Sequence, residues 1–226
     1  MTLTLDYVKS KSASKLVSLH PVVLAATQRL IELSYAKCIP IIITQGLRTI
    51  AEQNELYAQG RTKPGQVVTN AKGGYSYHNF GVAIDFALLL PDGKQVSWDL
   101  QRDGNSNREA DWQEVAKIGK SLGFAWGGDW VRFRDYPHFE MTFGLTTAQC
   151  RAGQNPSQKD VEAALSLINK EEDKAVEKAK VYVNGEKIED GFILDGRAYV
   201  PLRAVGEALG AKVAWDNKTK TATITK

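Results

Sequence analysis

Asp85 stands between Ile84 and Phe86 in the run GVAIDFALLL, and a carboxylate inside so apolar a segment constrains the fold more than any other residue of the chain. Buried alone it would cost several kcal/mol, so the fold must bring a cation, a hydrogen-bonding partner or a metal to it. Read as a strand, the segment alternates, with Gly81, Ala83 and Asp85 on one face and Val82, Ile84 and Phe86 on the other. The face lined by Gly and Ala leaves room beside the carboxylate. His78 lies just upstream, after a Gly73-Gly74 loop.

A second alternation occurs in RDYPHFEM, Arg134 to Met141. His138 and Glu140 alternate with Phe139 and Met141, and Asp135 precedes His138 by three residues in a Pro-bent approach. His78, Asp85 and His138, drawn from two strands, make a three-ligand zinc site, and three protein ligands with an open fourth position is the arrangement of catalytic zinc. Water on such an ion reaches a pKa near ~7, and Asp135 then serves as general base and as the acid that protonates the leaving amine. By spacing alone, each histidine also admits a structural role in a satisfied hydrogen bond. His20, before Pro21 at a helix entrance, is read as structural.

The surrounding elements predict an α+β architecture. Pro21 to Ala36 reads as an amphipathic helix with Leu24, Leu30, Ile31 and Leu33 toward the core, and Pro40 to Thr44 as a buried strand. Thr49 with Glu52 forms a capping box that launches a helix through Gln59, ended by Gly60, and Asp111 to Leu122 is a third helix stopped by Gly123. The lack of a regular βαβ alternation and of a Gly-rich phosphate loop points away from nucleotide binding. A formal charge of +3 is too small to argue for a nucleic-acid partner. Runs such as Cys38 to Ile43 and Val82 to Pro91 fall short of the roughly 20 residues a membrane-spanning helix needs, so no membrane association is expected. The N-terminus has no basic stretch followed by an apolar core, which predicts synthesis in the cytoplasm without a signal peptide. Cys38 and Cys150 match no zinc or redox spacing and are expected to be unpaired, mostly buried thiols.

Composition divides the chain into residues 1–156, 157–180 and 181–226. The middle segment lacks Gly, Pro and aromatic residues, opens with Ser157 and Asp160 in capping-box spacing, and carries Val161, Leu165 and Ile168 as one apolar stripe. It predicts a charged helical linker. Residues 181–226 predict a small α+β module, with turns at Asn184-Gly185 and Asp195-Gly196, a helix from Pro201 to Leu209 with Leu202, Val205 and Leu209 inward, and strands in KVAWD and TATITK. About 46 residues are marginal for independent stability, so the module is expected to pack tightly on itself or pair with another copy.

Ser76-x-His78-x-x-Gly81-x-Ala83-x-Asp85, followed by Gly127, Gly128, Asp129 and Trp130 and then by Asp135-x-x-His138-Phe139-Glu140, resembles a zinc peptidase family. That family includes VanY-type D-alanyl-D-alanine carboxypeptidases and phage L-alanyl-D-glutamate endolysins, and the resemblance spans Pro21 to Phe143. It implies a small antiparallel sheet with flanking helices, as in hedgehog and the D-Ala-D-Ala peptidases. It further implies His78, Asp85 and His138 as zinc ligands and Asp135 as the acid/base, a role some members give to Glu. Arg48 would bind the substrate carbonyl and stabilise the oxyanion. Gln53 and Ser76 would help place substrate, and Trp126 and Trp130 stay open between cleft and core.

The activity so implied is zinc-dependent hydrolysis of the peptidoglycan stem peptide at the L-alanyl-D-glutamate bond, with the cell wall as the place of action. A D-alanyl-D-alanine carboxypeptidase is the alternative; it needs a cation for the substrate's free C-terminal carboxylate, with Arg132 and Arg134 as candidates. A non-catalytic wall-binding protein is the alternative of another class, and Asp135 argues against it, because a structural site needs a fourth ligand. Residues 181–226 resemble the stalk-like domain named after the N-terminal region of copper amine oxidases. With no His, Cys or Met there, the name implies no copper, and wall targeting, stabilisation and dimerisation stay open as its role.

Overall fold

The computed structural model describes residues 3–175, 177–194, 197–216, 219 and 221–225. The chain divides into two units, Met1–Glu171 and Glu172–Lys226. In the first, helices α1 (Leu5–Ser12) and α2 (Pro21–Ala36) precede strand β1 (Ile41–Gln45) and helix α3 (Ile50–Ala58). After them come β2 (Ala83–Leu89), β3 (Val96–Ser97), α4 (Asp111–Ser121), β4 (Ala125–Trp126), β5 (His138–Glu140) and α5 (Thr147–Arg151). The strands form one antiparallel sheet in the order β1-β2-β5-β4, with β3 also on β2. The unit is therefore α+β, as expected from its sequence.

β2 and β5 are interior strands, and the apolar residues of β2 are buried on both faces. The Phe86 ring lies 4.6 Å from Trp112 of α4 and 5.2 Å from Phe139 of β5, with Phe124 on Phe139 at 5.5 Å. Leu30 and Ile31 of α2 are fully buried, while Leu24 and Leu33 pack partly buried against the same core. Each fully buried side chain of this size contributes ~1.5–3 kcal/mol relative to exposure. The helix ends follow local chemistry. The Thr49–Glu52 capping box is formed at α3, and Gly60 and Gly123 take left-handed φ values of 73° and 96° beyond α3 and α4.

The C-terminus of α2 departs from expectation in one respect. Cys38 occupies the left-handed position (φ 61°) of a Schellman-type end in which the Ile39 N–H donates to the Ser34 carbonyl at 2.9 Å. That backbone geometry turns its side chain outward. Both cysteines are unpaired, but Cys38 is exposed and Cys150 half-buried.

Helix α6 (Gln158–Ala175) opens with the Asp160 N–H donating to Ser157 Oγ at 3.2 Å. Its first half packs on the first unit, with Ala164 and Ile168 buried and Val161 against the core, whereas Leu165 faces outward. The charged segment does not stay helical to residue 180, because β6 (Glu177–Ala179) pairs with β9 (Gly191–Leu194), and ladder hydrogen bonds override its helix-favouring composition.

In the second unit β9 also pairs β10 (Arg197–Tyr199), giving the order β10-β9-β6. Two hairpins accompany it, β7 (Tyr182–Val183) with β8 (Glu186–Lys187) and β11 (Lys212–Asp216) with β12 (Thr221–Thr225), and helix α7 (Leu202–Ala208) lies between β10 and β11 in sequence. Asn184 and Gly185 both adopt positive φ, 52° and 85°, as a two-residue hairpin turn requires. The turn expected at Asp195-Gly196 lies outside the described residues. The inward face expected of the helix is not observed. Leu202 and Leu209 are exposed, and the residue α7 buries is Gly206, packed so closely on Val213 that a Cβ there would lie 2.4 Å from its Cγ2. Among the described residues of this unit no hydrophobic side chain is buried, consistent with a module too small to enclose a core.

Candidate active site

The register of the sheet builds the site. β2 and β5 are antiparallel neighbours with Asp85 directly opposite His138, so their side chains meet on one face. His78 arrives from a 3-10 turn (Tyr77–Phe80) that reverses into the strand at Gly81, whose φ is 66°. A Cβ at Gly81 would sit 2.7 Å from the Ser18 carbonyl oxygen, so the turn can nest against that segment only with glycine.

Three donor atoms converge. His78 Nε2 lies 3.2 Å from Asp85 Oδ1 and 3.1 Å from His138 Nδ1, and that nitrogen is 3.1 Å from Asp85 Oδ1. A tetrahedral ion with ligand bonds of ~2.0–2.1 Å spaces its ligand atoms by ~3.3–3.4 Å, so this triangle is close to one face of such a tetrahedron. Hydrogen bonds behind the triangle set the tautomers. His78 Nδ1–H donates to the Gly46 carbonyl at 2.9 Å, and His138 Nε2–H donates to Glu140 Oε2 at 3.1 Å, which turns the opposite nitrogen of each ring into the centre, where it holds a proton toward Asp85 or would give its lone pair to a bound metal. Burial alone would raise the Asp85 pKa. The charge of His78 and hydrogen bonds from both histidines outweigh it and hold the carboxyl well below the usual range.

Asp135 lines the same cavity without entering the triangle. Burial, and then the charge of Asp85, push its pKa up. Its backbone presses on Gly127: the Asp135 N–H donates to the Gly127 carbonyl, and a Cβ at Gly127 would lie 2.4 Å from the Asp135 carbonyl oxygen and 3.1 Å from His138 Cβ. The first glycine of the Gly-Gly-Asp-Trp motif is therefore the space into which the Asp135–His138 turn packs. Asp129 of that motif pairs instead with Lys120 at 2.9 Å.

Arg48 reaches the site from the loop before α3. Its Nη2 lies 3.4 Å from Asp85 Oδ2, its Nη1 donates to Gln53 Oε1 at 2.8 Å, and its Nε is buried with no partner. Gln53 does not line the cavity. It is fully buried, and its Nε2 donates to the Ala71 carbonyl at 2.7 Å, so it braces Arg48 against the 69–71 wall. Ser76 lines the cavity, and its hydroxyl does not cap the turn that follows. The two open tryptophans separate: Trp126 is buried with its indole N–H on the Tyr136 carbonyl, while Trp130 lines the cavity with its ring 5.2 Å from that of His138.

The cavity holds about 560 Å³ and shares Arg48 and Leu56 with a shallower groove of about 400 Å³ along α3. Sequence reasoning gave no function to Glu140, Tyr75 or Phe133, all of which line it. Alternation put Glu140 on the face of His138, but its bond to the imidazole becomes visible only with the rotamers in place.

A family profile described as D-alanyl-D-alanine carboxypeptidase matches residues 69–141, and one described as copper amine oxidase N-terminal domain matches residues 182–226. The peptidoglycan L-alanyl-D-glutamate endopeptidase CwlK of Bacillus subtilis (strain 168) is 55% identical over 123 residues, covering 54% of this chain and 73% of CwlK. An L-alanyl-D-glutamate peptidase of Listeria phage A118 is 31% identical over 138 residues, 61% of this chain and 43% of that protein. Among solved structures, the L-Ala D-Glu endopeptidase ChiX of Serratia marcescens aligns with a TM-score of 0.43 and 24% identity, over 60% of this chain and 89% of ChiX. Among the described residues, no helix is long and apolar enough to cross a membrane.

Proposed function

The chain belongs to the peptidase family of D-alanyl-D-alanine carboxypeptidases and L-alanyl-D-glutamate endopeptidases, and from that premise we propose that its first unit is a zinc-dependent peptidoglycan hydrolase cutting the L-alanyl-D-glutamate bond of the stem peptide. The observation that carries the proposal is the triangle of His78, Asp85 and His138 beside an open cavity that also contains the separate carboxylate of Asp135. A structural zinc site is closed by a fourth protein ligand, whereas this donor set leaves that position to solvent and substrate. The donors suit zinc: two imidazole nitrogens, each ring fixed by a second hydrogen bond and able to give up its inward proton to a metal, and one carboxylate. When bound, zinc supplies a Lewis acid for the scissile carbonyl and lowers the pKa of a water to near ~7.

The chain's own groups do the rest. Asp135 takes the proton of the attacking water and returns it to the leaving amine, and a carboxyl whose pKa is raised by burial is better matched to both transfers than an exposed one. Arg48, its Nε unpartnered, offers N–H donors where negative charge grows on the carbonyl oxygen. Gln53 acts through Arg48, holding the guanidinium in place, so it is a positioning residue here and not a direct substrate contact. Ser76 and Trp130 form the walls that orient the peptide. The groove continuing past Arg48 supports cleavage inside a chain over removal of a terminal residue, because an endopeptidase needs room on both sides of the bond.

Purified muropeptides incubated with wild type, with Asp135→Ala, and with wild type plus chelator test this reading by mass spectrometry of the products. Release of stem peptide beginning at D-Glu by wild type alone is expected. Loss of only terminal D-Ala would make the protein a carboxypeptidase, and no cleavage by zinc-loaded wild type would leave a wall-binding protein.

A further inference from the structure

Lys72 and Arg151, 79 positions apart in sequence, meet over one aromatic ring at the mouth of the cleft. Lys72 Nζ is 5.0 Å and Arg151 Cζ 3.8 Å from the ring centre of Tyr75, and that tyrosine lines the same cavity as His78, Asp85 and Asp135. The arrangement is held from below. Arg151 Nη1 donates to the Gly74 carbonyl at 2.8 Å, and Gly74 adopts φ 81° with a Cβ position only 3.2 Å from Arg151 Cδ. The Tyr75 N–H donates back to the Lys72 carbonyl at 2.9 Å. Both cations are exposed, and neither has a carboxylate within ion-pair distance among the described residues.

The floor of the cleft is charged the other way. Asp85, Asp135 and Glu140 face it, and Arg48 is already committed to Asp85. A divalent ion and Arg48 together only balance those three carboxylates, so the floor offers no surplus attraction to an anionic peptide. The proposed substrate is anionic: a glutamyl residue has two carboxyl groups, and continuing the chain through one leaves the other free beside the scissile bond. Lys72 and Arg151, packed on the cavity-lining ring of Tyr75, place positive charge with no paired carboxylate beside that wall.

We propose that this cluster is a carboxylate-docking rim, in which Lys72 and Arg151, mounted on Tyr75, bind a free carboxylate on the D-glutamyl side of the cleaved bond. The inference rests on the endopeptidase reading and deepens it, making the rim the element that distinguishes an acidic stem from an amidated one. Exposed charge pairs are worth little singly, so the expected effect is about 1.5-fold to fivefold in KM per cation and is screened by salt.

The test uses the zinc-loaded full chain and three synthetic stems with an L-Ala–D-Glu bond. One has a free D-Glu carboxylate and an amidated C-terminus, one has both groups amidated, and one is amidated at D-Glu but keeps the free C-terminal carboxylate. Wild type is expected to show a lower KM for a carboxylate-bearing stem than for the fully amidated one. Lys72→Glu should abolish most of that ratio, Lys72→Arg should restore it, and 0.5 M salt should erase it in wild type. Whichever carboxylate carries the preference is identified as the ligand of the rim. The rim is overturned if wild type cleaves all three stems with equal KM, or if Lys72→Glu lowers kcat/KM for all of them by the same factor. No cleavage of any stem by wild type overturns the endopeptidase reading and the rim with it, so the two failures are distinct.

Discussion

Both ring nitrogens of His138 are engaged, Nδ1 at 3.1 Å from Asp85 and Nε2 at 3.1 Å from Glu140. Burial by itself would lower the pKa of this imidazole. Hydrogen bonds to the two carboxylates and their charges overcome that and leave it pushed up to about 9. The metal-free protein therefore keeps His138 protonated at neutral pH. A group whose folded pKa lies above its ordinary 6.5 contributes stability that is fully present below 6.5 and is lost as pH rises through about 9. Metal-free protein should accordingly lose thermal stability between pH 6.5 and 9, and Glu140→Gln, which removes one of the two anionic partners, should flatten that decline. Melting temperatures of both proteins across this range in chelator decide the matter; a level or rising wild-type profile would refute it. The convergence of His78, Asp85 and His138 was legible in the sequence, because a carboxylate inside an apolar strand demands partners and the histidines of the chain are few. The roles of Glu140 and Gln53 were not, since each depends on which atom of a neighbour its amide or carboxylate reaches.

At the scale of elements, α4 and β5 meet at a glycine. A Cβ at Gly119 would lie 2.5 Å from two ring atoms of Phe139, and that ring is already held between Phe86 and Phe124. Gly119→Ala gains about 1 kcal/mol of helix propensity but overpacks a site with no slack, a cost of about 1–3 kcal/mol. The expected result is a net loss of up to about 2 kcal/mol, seen as a lower urea midpoint at unchanged slope. An unchanged or higher midpoint would show that the helix yields. Helices α2, α3 and α4 could be read ahead of the structure because apolar periodicity and end signals agree in each of them. The short α1 and α5 were not read, being too brief for a periodicity to register. Neither was β6, whose charged sequence favours helix and which exists as a strand through its pairing with β9.

For the whole molecule, the question is what the second unit contributes. Every residue lining the cleft falls between Gln45 and Glu140, and the last apolar side chains completing that unit's core are Ala164 and Ile168 of α6. A chain ended after Ala175 should fold and should cleave soluble muropeptides at the rate of the full chain, within about twofold, since surface changes away from the core rarely exceed ~0.5 kcal/mol. The second unit buries no hydrophobic side chain among its described residues and exposes Tyr182, Phe192, Tyr199 and Trp215, a surface more suited to contact than to self-sufficiency. If its role is to hold the enzyme at the wall, the shortened chain should lose activity selectively on intact sacculi, where local concentration matters, and should sediment with them less. Equal loss on soluble and insoluble substrate would instead make the second unit a support of the catalytic fold. Equal retention on both would remove wall attachment from its role and leave pairing with another copy to be tested by sedimentation of the full chain.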